Sequence, residues 1–207
     1  FANSPAANAG LQADDHILKI NDQDVTGMKT KEFANIIKSN QNNFKLLIKR
    51  NEEIKEINVE KQNVIIDSVS SKTYNKDGKN IGYLEISIFA DNTYSQFKEK
   101  LEELEKAKID SLIIDVRNNT GGHLTSVENI ISLFLDSSHI IYKMEDSSGV
   151  KEYYSTGNET KTYPIIVLTN SSSASASEIL TAALKEEYGA KSIGKKTYGK
   201  GSAQELR

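Results

Sequence analysis

The chain has 207 residues, long for one small module and short for two full-sized domains, and its 37% hydrophobic and 27% charged residues suit a globular chain with a buried core. Twenty-six basic against 29 acidic residues leave a net charge of −3, which gives no basic field for a nucleic-acid backbone. No apolar run is long enough to span a bilayer, and the lack of cysteine removes thiolate nucleophiles, disulfide scaffolds and cysteine–zinc sites together.

Phe1 is not preceded by an initiator Met or a signal-peptide pattern, and no closing element precedes Arg207, so the chain reads as a segment of a longer protein. Asn3-Ser4-Pro5 is turn chemistry, followed by an alanine-rich piece ending at Gly10. Ile17–Ile20 reads as a strand closed by Asn21-Asp22. Phe33, Ile36 and Ile37 give the Thr30–Ser39 stretch one apolar helical stripe. Phe44, Leu46 and Ile48 alternate, as do Ile54, Ile57 and Val59 less cleanly, predicting two more strands and a compact β-rich domain ending near Glu60. Residues 1–62 are therefore expected to form the first domain and 63–207 the second.

The run Ser4-Pro5-Ala6-Ala7-Asn8-Ala9-Gly10-Leu11 through Asp14-Asp15-His16-Ile17 to Ile20-Asn21 resembles a PDZ domain. Asp14 stands where that family usually has glycine, so the turn there is expected to differ. The resemblance implies a peptide-binding groove whose carboxylate loop would precede Phe1, leaving the groove incomplete at its N-terminal side.

Lys61–Asn80 is polar, with several serines and an Asp77-Gly78 turn signal, and is expected to be a linker. Beyond it strands and helices alternate. Ile81–Phe89 is β-branched and aromatic; Asp91 is a candidate N-cap for a helix carrying Tyr94, Phe97, Leu101 and Leu104. Leu112–Ile114 is a short buried strand, and Val127, Ile130, Ile131 and Phe134 mark the next helix. A hairpin around Ser148-Gly149, a strand at Ile165–Leu168 and a helix over Ala176–Tyr188 complete the pattern. The fold class is α/β: a β-rich domain, then a core with a mainly parallel sheet flanked by helices.

In such sheets reactive groups gather in the turns beyond the carboxyl ends of strands. Two turns stand out. In Asp115-Val116-Arg117-Asn118-Asn119-Thr120-Gly121-Gly122, adjacent glycines either fit a plain tight turn or free backbone N–H groups to cradle an oxyanion. In Asn170-Ser171-Ser172-Ser173-Ala174-Ser175-Ala176-Ser177-Glu178 a hydroxyl sits at a helix N-terminus, where Ser175 and Glu178 also spell a capping box. The G-x-S-x-G pattern of a nucleophile elbow is missing.

A serine nucleophile needs a base. His16 lies in the first domain, His139 begins an apolar strand, and His123 follows the glycine pair and stays a candidate. The other known base is a lysine kept neutral by burial, for which glycine-flanked Lys200 is the best candidate. Gly194–Gly201 also approaches a phosphate-binding loop, but Gly201 replaces the hydroxyl residue that would hold magnesium, so no nucleotide or metal cofactor is expected.

Residues 82–204 resemble the core of the carboxyl-terminal processing proteases, tail-specific serine peptidases with a PDZ domain ahead of the catalytic core. The runs that carry the resemblance are Gly82-Tyr83-Leu84-Glu85-Ile86, Asp115–Gly122, Ser173–Ile179 and Gly194–Gln204. The resemblance implies Ser175 as nucleophile and Lys200 as general base, at the family's spacing, with Gln204 orienting the lysine amine. It implies oxyanion donors from Ala176 and from the Gly121-Gly122 turn, unfolded protein or peptide C-terminal tails as substrates, no nucleic-acid partner, and an extracytoplasmic, often membrane-tethered setting. The oligomeric state is left open. Thr120 replaces the usual proline before the glycines, which is expected to loosen that turn, and His123 replaces an aliphatic residue. The family core continues past Gln204, so the catalytic domain is expected to be incomplete at its C-terminal side. The alternative reading is a catalytically inactive PDZ-bearing peptide-binding scaffold.

Overall fold

The computed structural model describes residues 4–39, 43–62 and 67–202. Its contacts divide between two compact units, Phe1–Ile66 and Asp67–Arg207.

The first unit opens with a single helical turn, α1 (Pro5–Asn8). Ser4 caps it, its Oγ accepting the Ala7 N–H at 3.2 Å, and Pro5 fills the first position, where no N–H is needed. Then follow β1 (His16–Ile20), β2 (Gln23–Asp24), α2 (Thr30–Ser39), β3 (Asn43–Arg50) and β4 (Glu53–Glu60), the strands forming an antiparallel sheet in the order β2-β1-β3-β4. Ile20, Leu46, Ile48 and Val59 form its core, and Phe33, Ile36 and Ile37 of α2 pack against it. Asp14 adopts φ 67°, so an aspartate takes the left-handed turn expected of glycine. Next to it, Arg50 clamps the carboxylate of Asp15 at 2.6 and 2.7 Å and holds its pKa down at about 2.

The second unit contains β5 (Val69–Lys76), β6 (Lys79–Ile86), α3 (Thr93–Lys106), β7 (Ser111–Asp115), α4 (Leu124–Ile131), the hairpin β8 (Ile140–Asp146) and β9 (Gly149–Tyr154), and β10 (Ile165–Thr169). The last elements are α5 (Ala176–Ala183), which runs into a π-helical turn (Leu184–Tyr188), and β11 (Lys191–Gly194). Five strands form one sheet in the order β11-β10-β7-β6-β5. The β6/β7, β7/β10 and β10/β11 pairs are parallel and β5/β6 is antiparallel, so the expected α/β, mainly parallel core is present. Leu84, Ile86, Leu112 and Ile114 from the central strands meet Phe97 and Phe134, whose rings pack edge to face at 6.0 Å.

Two local expectations are corrected. The polar stretch read as a linker holds β5, an edge strand on which Val69 is buried while its polar residues mostly face solvent, so it lacks the alternation of a half-buried strand. Asp77 and Gly78, at φ 53° and 75°, make the tight turn that pairs it with β6. Asp91 does not cap α3, which follows Asn92; the Oγ of Thr93 accepts the Ala90 N–H at 2.8 Å and shapes the entry instead. β11, exposed along its length, carries no apolar pattern that would have announced it.

Candidate active site

Because β6, β7, β10 and β11 run parallel in one sheet, the segments that leave them gather along one edge. The turn after β7 is fastened at both ends. Asp115 is buried and receives Arg117 at 2.6 Å and the Tyr83 hydroxyl at 2.7 Å. Burial pushes the Asp115 carboxyl up, but hydrogen bonds from Arg117 and Tyr83 outweigh it and hold the group below the usual carboxylate range. The same burial, with Asp115 beside it, raises Tyr83 to about 12.

Four residues on, Asn119 is completely buried. Its Nδ2 donates to the Ile86 carbonyl at 2.8 Å, and its Oδ1 accepts the Gly121 N–H at 2.9 Å. Gly121 O accepts the Phe89 N–H at 3.0 Å, and Phe89 O accepts the His123 N–H at 2.7 Å. The turn is thus held by Asn119 and Phe89, and exposed Thr120 takes no part in the bonds that close it. The Gly121 N–H is used internally, whereas the Gly122 N–H has no hydrogen-bond partner among the described residues. Both glycines are required: a Cβ on Gly121 would lie 2.7 Å from Ser175 Cβ, and one on Gly122 would lie 2.1 Å from Phe89 O.

The second turn leads from β10 to α5. Ser175 sits at its apex with φ 56° and ψ −117°, a conformation L-residues rarely adopt. This is an elbow, although the G-x-S-x-G spelling is missing. Its physical requirement is small residues two positions either side, and here Ser173 and Ser177 meet it. Both are fully buried, and their hydroxyls find carbonyl acceptors, Val116 at 2.7 Å and Asn119 at 2.9 Å. Asn119 O also accepts the Ala174 N–H at 3.0 Å, which joins the elbow to the glycine turn. Glu178 closes the capping box by accepting the Ser175 N–H at 2.8 Å. The Ala176 N–H has no partner among the described residues.

The third segment follows β11. Glu178 accepts the Gly199 N–H at 2.6 Å and the Lys200 N–H at 2.9 Å, and Tyr198 N–H donates to Ser173 O at 2.9 Å. Ser175 and Lys200 line one cleft of about 590 Å³, with Ile140, Ile179 and Ala182 supplying apolar wall and Glu178 between the two. Lys200 is solvent-exposed, so the burial assumed for it is not in place here. Gln204 and Ala203 lie outside the described residues. His123 faces Asp91 at 3.0 Å on the surface and is not among the residues lining the cleft. The sequence reading missed Asn119 and the elbow. The small-x-Ser-x-small pattern was the available sign of the elbow, whereas the distant partners of Asn119 leave no mark in its neighbourhood.

A serine on a strained strand-to-helix turn, with unpaired backbone N–H groups beside it, is the arrangement of serine-nucleophile hydrolases. The family described as peptidase family S41 matches residues 80–207 and that described as PDZ domain matches residues 2–50, so the chain belongs to peptidase family S41 and carries a PDZ domain ahead of the peptidase core. It is 34% identical over 209 residues to the carboxy-terminal processing protease CtpB of Bacillus subtilis (strain 168), covering 99% of this chain and 44% of that protein. A carboxyl-terminal-processing protease of Picosynechococcus is 32% identical over 206 residues, covering 98% of this chain and 50% of that one. Among solved structures, a photosystem II D1 C-terminal processing protease aligns with a TM-score of 0.60 at 26% identity, over 96% of this chain and 55% of that one. The chain thus spans about half the length, or less, of these curated relatives.

Proposed function

We propose that the protein is a serine endopeptidase that cleaves unfolded substrates near their C-terminal tails by a Ser–Lys mechanism. The observation that carries the reading is the strained Ser175 at the head of α5, in one cleft with Lys200. The neutral amine of Lys200 takes the Ser175 hydroxyl proton as Oγ bonds to the scissile carbonyl carbon. The C–N bond then breaks, and the leaving amine receives that proton. Water, deprotonated by the same amine, hydrolyses the acyl-enzyme. The N–H groups of Ala176 and of the Gly121-Gly122 turn stabilise the oxyanion, with Gly122 supplying the donor that is not already used. A peptide filling the cleft excludes water from exposed Lys200 and provides the desolvation that a neutral amine requires. Gln204 orients that amine.

The PDZ domain captures the substrate tail, adding it as a strand beside the sheet, and the enzyme works outside the cytoplasm. Among the described residues no helix is long and apolar enough to cross a membrane. In the full-length protein, Lys200→Ala is expected to lower cleavage of an unstructured substrate by at least ~10³-fold. Undiminished cleavage overturns the dyad, whereas a wild-type protein that binds tails without cutting them is the PDZ scaffold of the alternative reading.

A further inference from the structure

Glu178 lies within hydrogen-bonding reach of both residues assigned to the chemistry, yet neither the capping role nor the proposed mechanism uses all of its bonds. One oxygen accepts the Ser175 N–H at 2.8 Å and the Lys200 N–H at 2.9 Å; the other accepts the Gly199 N–H at 2.6 Å. The Thr197 side chain adds a further donor. A helix cap needs only the first of these bonds. The remaining three tie down the segment that carries the lysine.

Besides these bonds, the segment is held to the elbow by the Tyr198 N–H on Ser173 O. Partial burial pushes the Glu178 carboxyl up, but donors from Thr197, Gly199, Lys200 and Ser175 prevail and hold it below the usual carboxylate range, so the group is an anion with its lone pairs in use. Charge-assisted bonds of this kind suit a fastening that must set distance and direction together.

We propose that Glu178 is a positioning residue that fixes the Lys200 segment against the Ser175 elbow, so that one carboxylate sets the geometry between base and nucleophile. This rests on the Ser–Lys reading above. Glu178 transfers no proton and touches no reacting atom. Glutamine in its place keeps the size, but its NH₂ is a donor where N–H groups already point, so at least one bond to the segment is lost. Displacing a reacting group by about 1 Å costs on the order of 10²-fold in rate.

The test uses the full-length protein and an unfolded polypeptide substrate, with kcat and KM measured for Glu178→Gln, Glu178→Asp and Thr197→Val. Ser175→Ala and Lys200→Ala serve as controls. Glu178→Gln is expected to lower kcat by ~10²-fold with KM within about threefold of wild type. Thr197→Val, which leaves the helix cap intact, should lower kcat by a few fold at unchanged melting temperature. If Glu178 only caps α5, Thr197→Val is silent and Glu178→Gln lowers the melting temperature while the folded enzyme keeps its kcat; that pattern overturns the proposal. Should Glu178→Gln not fold, Glu178→Asp with wild-type kcat overturns it, because a shorter carboxylate cannot reach both sides. Active Ser175→Ala or Lys200→Ala overturns the Ser–Lys reading itself, whereas dead controls beside fully active Glu178 variants sink this inference alone.

Discussion

The two sides of the cleft are built differently. On the Ser175 side, the elbow and the glycine turn share Asn119, whose backbone oxygen takes Ala174 N–H and Ser177 Oγ while its side chain spans Ile86 and Gly121. Ser173, Ser177 and Asn119 are all fully buried. On the Lys200 side, residues 198–200 are exposed and join the rest through Glu178 and one backbone bond to Ser173. Ser175 and the unpaired N–H groups beside it are therefore held in position by a buried hydrogen-bonded frame before any substrate arrives. Lys200, the proposed base, is carried on a tether. The first side is buried and closed by its own hydrogen bonds, and the second is exposed and held by few.

Gly122→Ala attacks the rigid side most directly. Its Cβ would fall 2.1 Å from Phe89 O at φ 146°, so the turn must move and take the free N–H with it. In the full-length protein kcat is expected to drop ~10²–10³-fold with KM little changed, the signature of a lost oxyanion donor. Steady-state kinetics check it, and an unaltered kcat would mean that Gly122 plays no part in the site. Asn119→Ala removes the shared staple. It leaves a buried carbonyl on Ile86 and a buried N–H on Gly121 without partners, a cost of about 2–4 kcal/mol that urea unfolding would detect, with activity falling in parallel.

The same asymmetry governs what could be read from the sequence. Elements with one buried face announced themselves: Phe44, Leu46 and Ile48 alternate and lie in β3, and Phe97, Leu101 and Leu104 mark the buried face of α3. The exposed edge strands β5 and β11 did not, because a strand with few buried residues has no periodicity to show. Ser175 and Lys200 were singled out through motifs that belong to a family, and physical pattern alone left the serine between capping and attack. The two are compatible, since a hydroxyl that accepts in the Ser175–Glu178 capping box still has its own proton to give. The exposure of Lys200 was not legible. Flanking glycines show that a lysine has room, and only the tertiary structure shows whether that room is filled.

The anchor at Asp115 yields a smaller, pH-dependent effect. Arg117 and Tyr83 hold its folded-state pKa below the ordinary 3.8. A depressed carboxylate contributes stability that is fully present above its unfolded-state pKa and is lost as pH falls through the folded value. The melting temperature of the wild type should therefore decline below about pH 4, and Asp115→Asn should be less stable at neutral pH and show a shallower acid decline. Parallel acid limbs in the two proteins would show that other carboxylates dominate.

The smallest expected effect probes the tethered side. Tyr198 is 72% exposed, and the bond it contributes, N–H to Ser173 O, belongs to the backbone. Tyr198→Ala keeps that bond and removes a ring that buries little, so unfolding free energy should stay within ~0.5 kcal/mol of wild type. The contrast with Asn119→Ala is the point of the measurement, because both positions stand one or two residues from a group assigned to the chemistry. If Tyr198→Ala destabilised the fold as strongly as Asn119→Ala, the lysine segment would be an integral part of the core. The division between a rigid Ser175 side and a tethered Lys200 side would then fail.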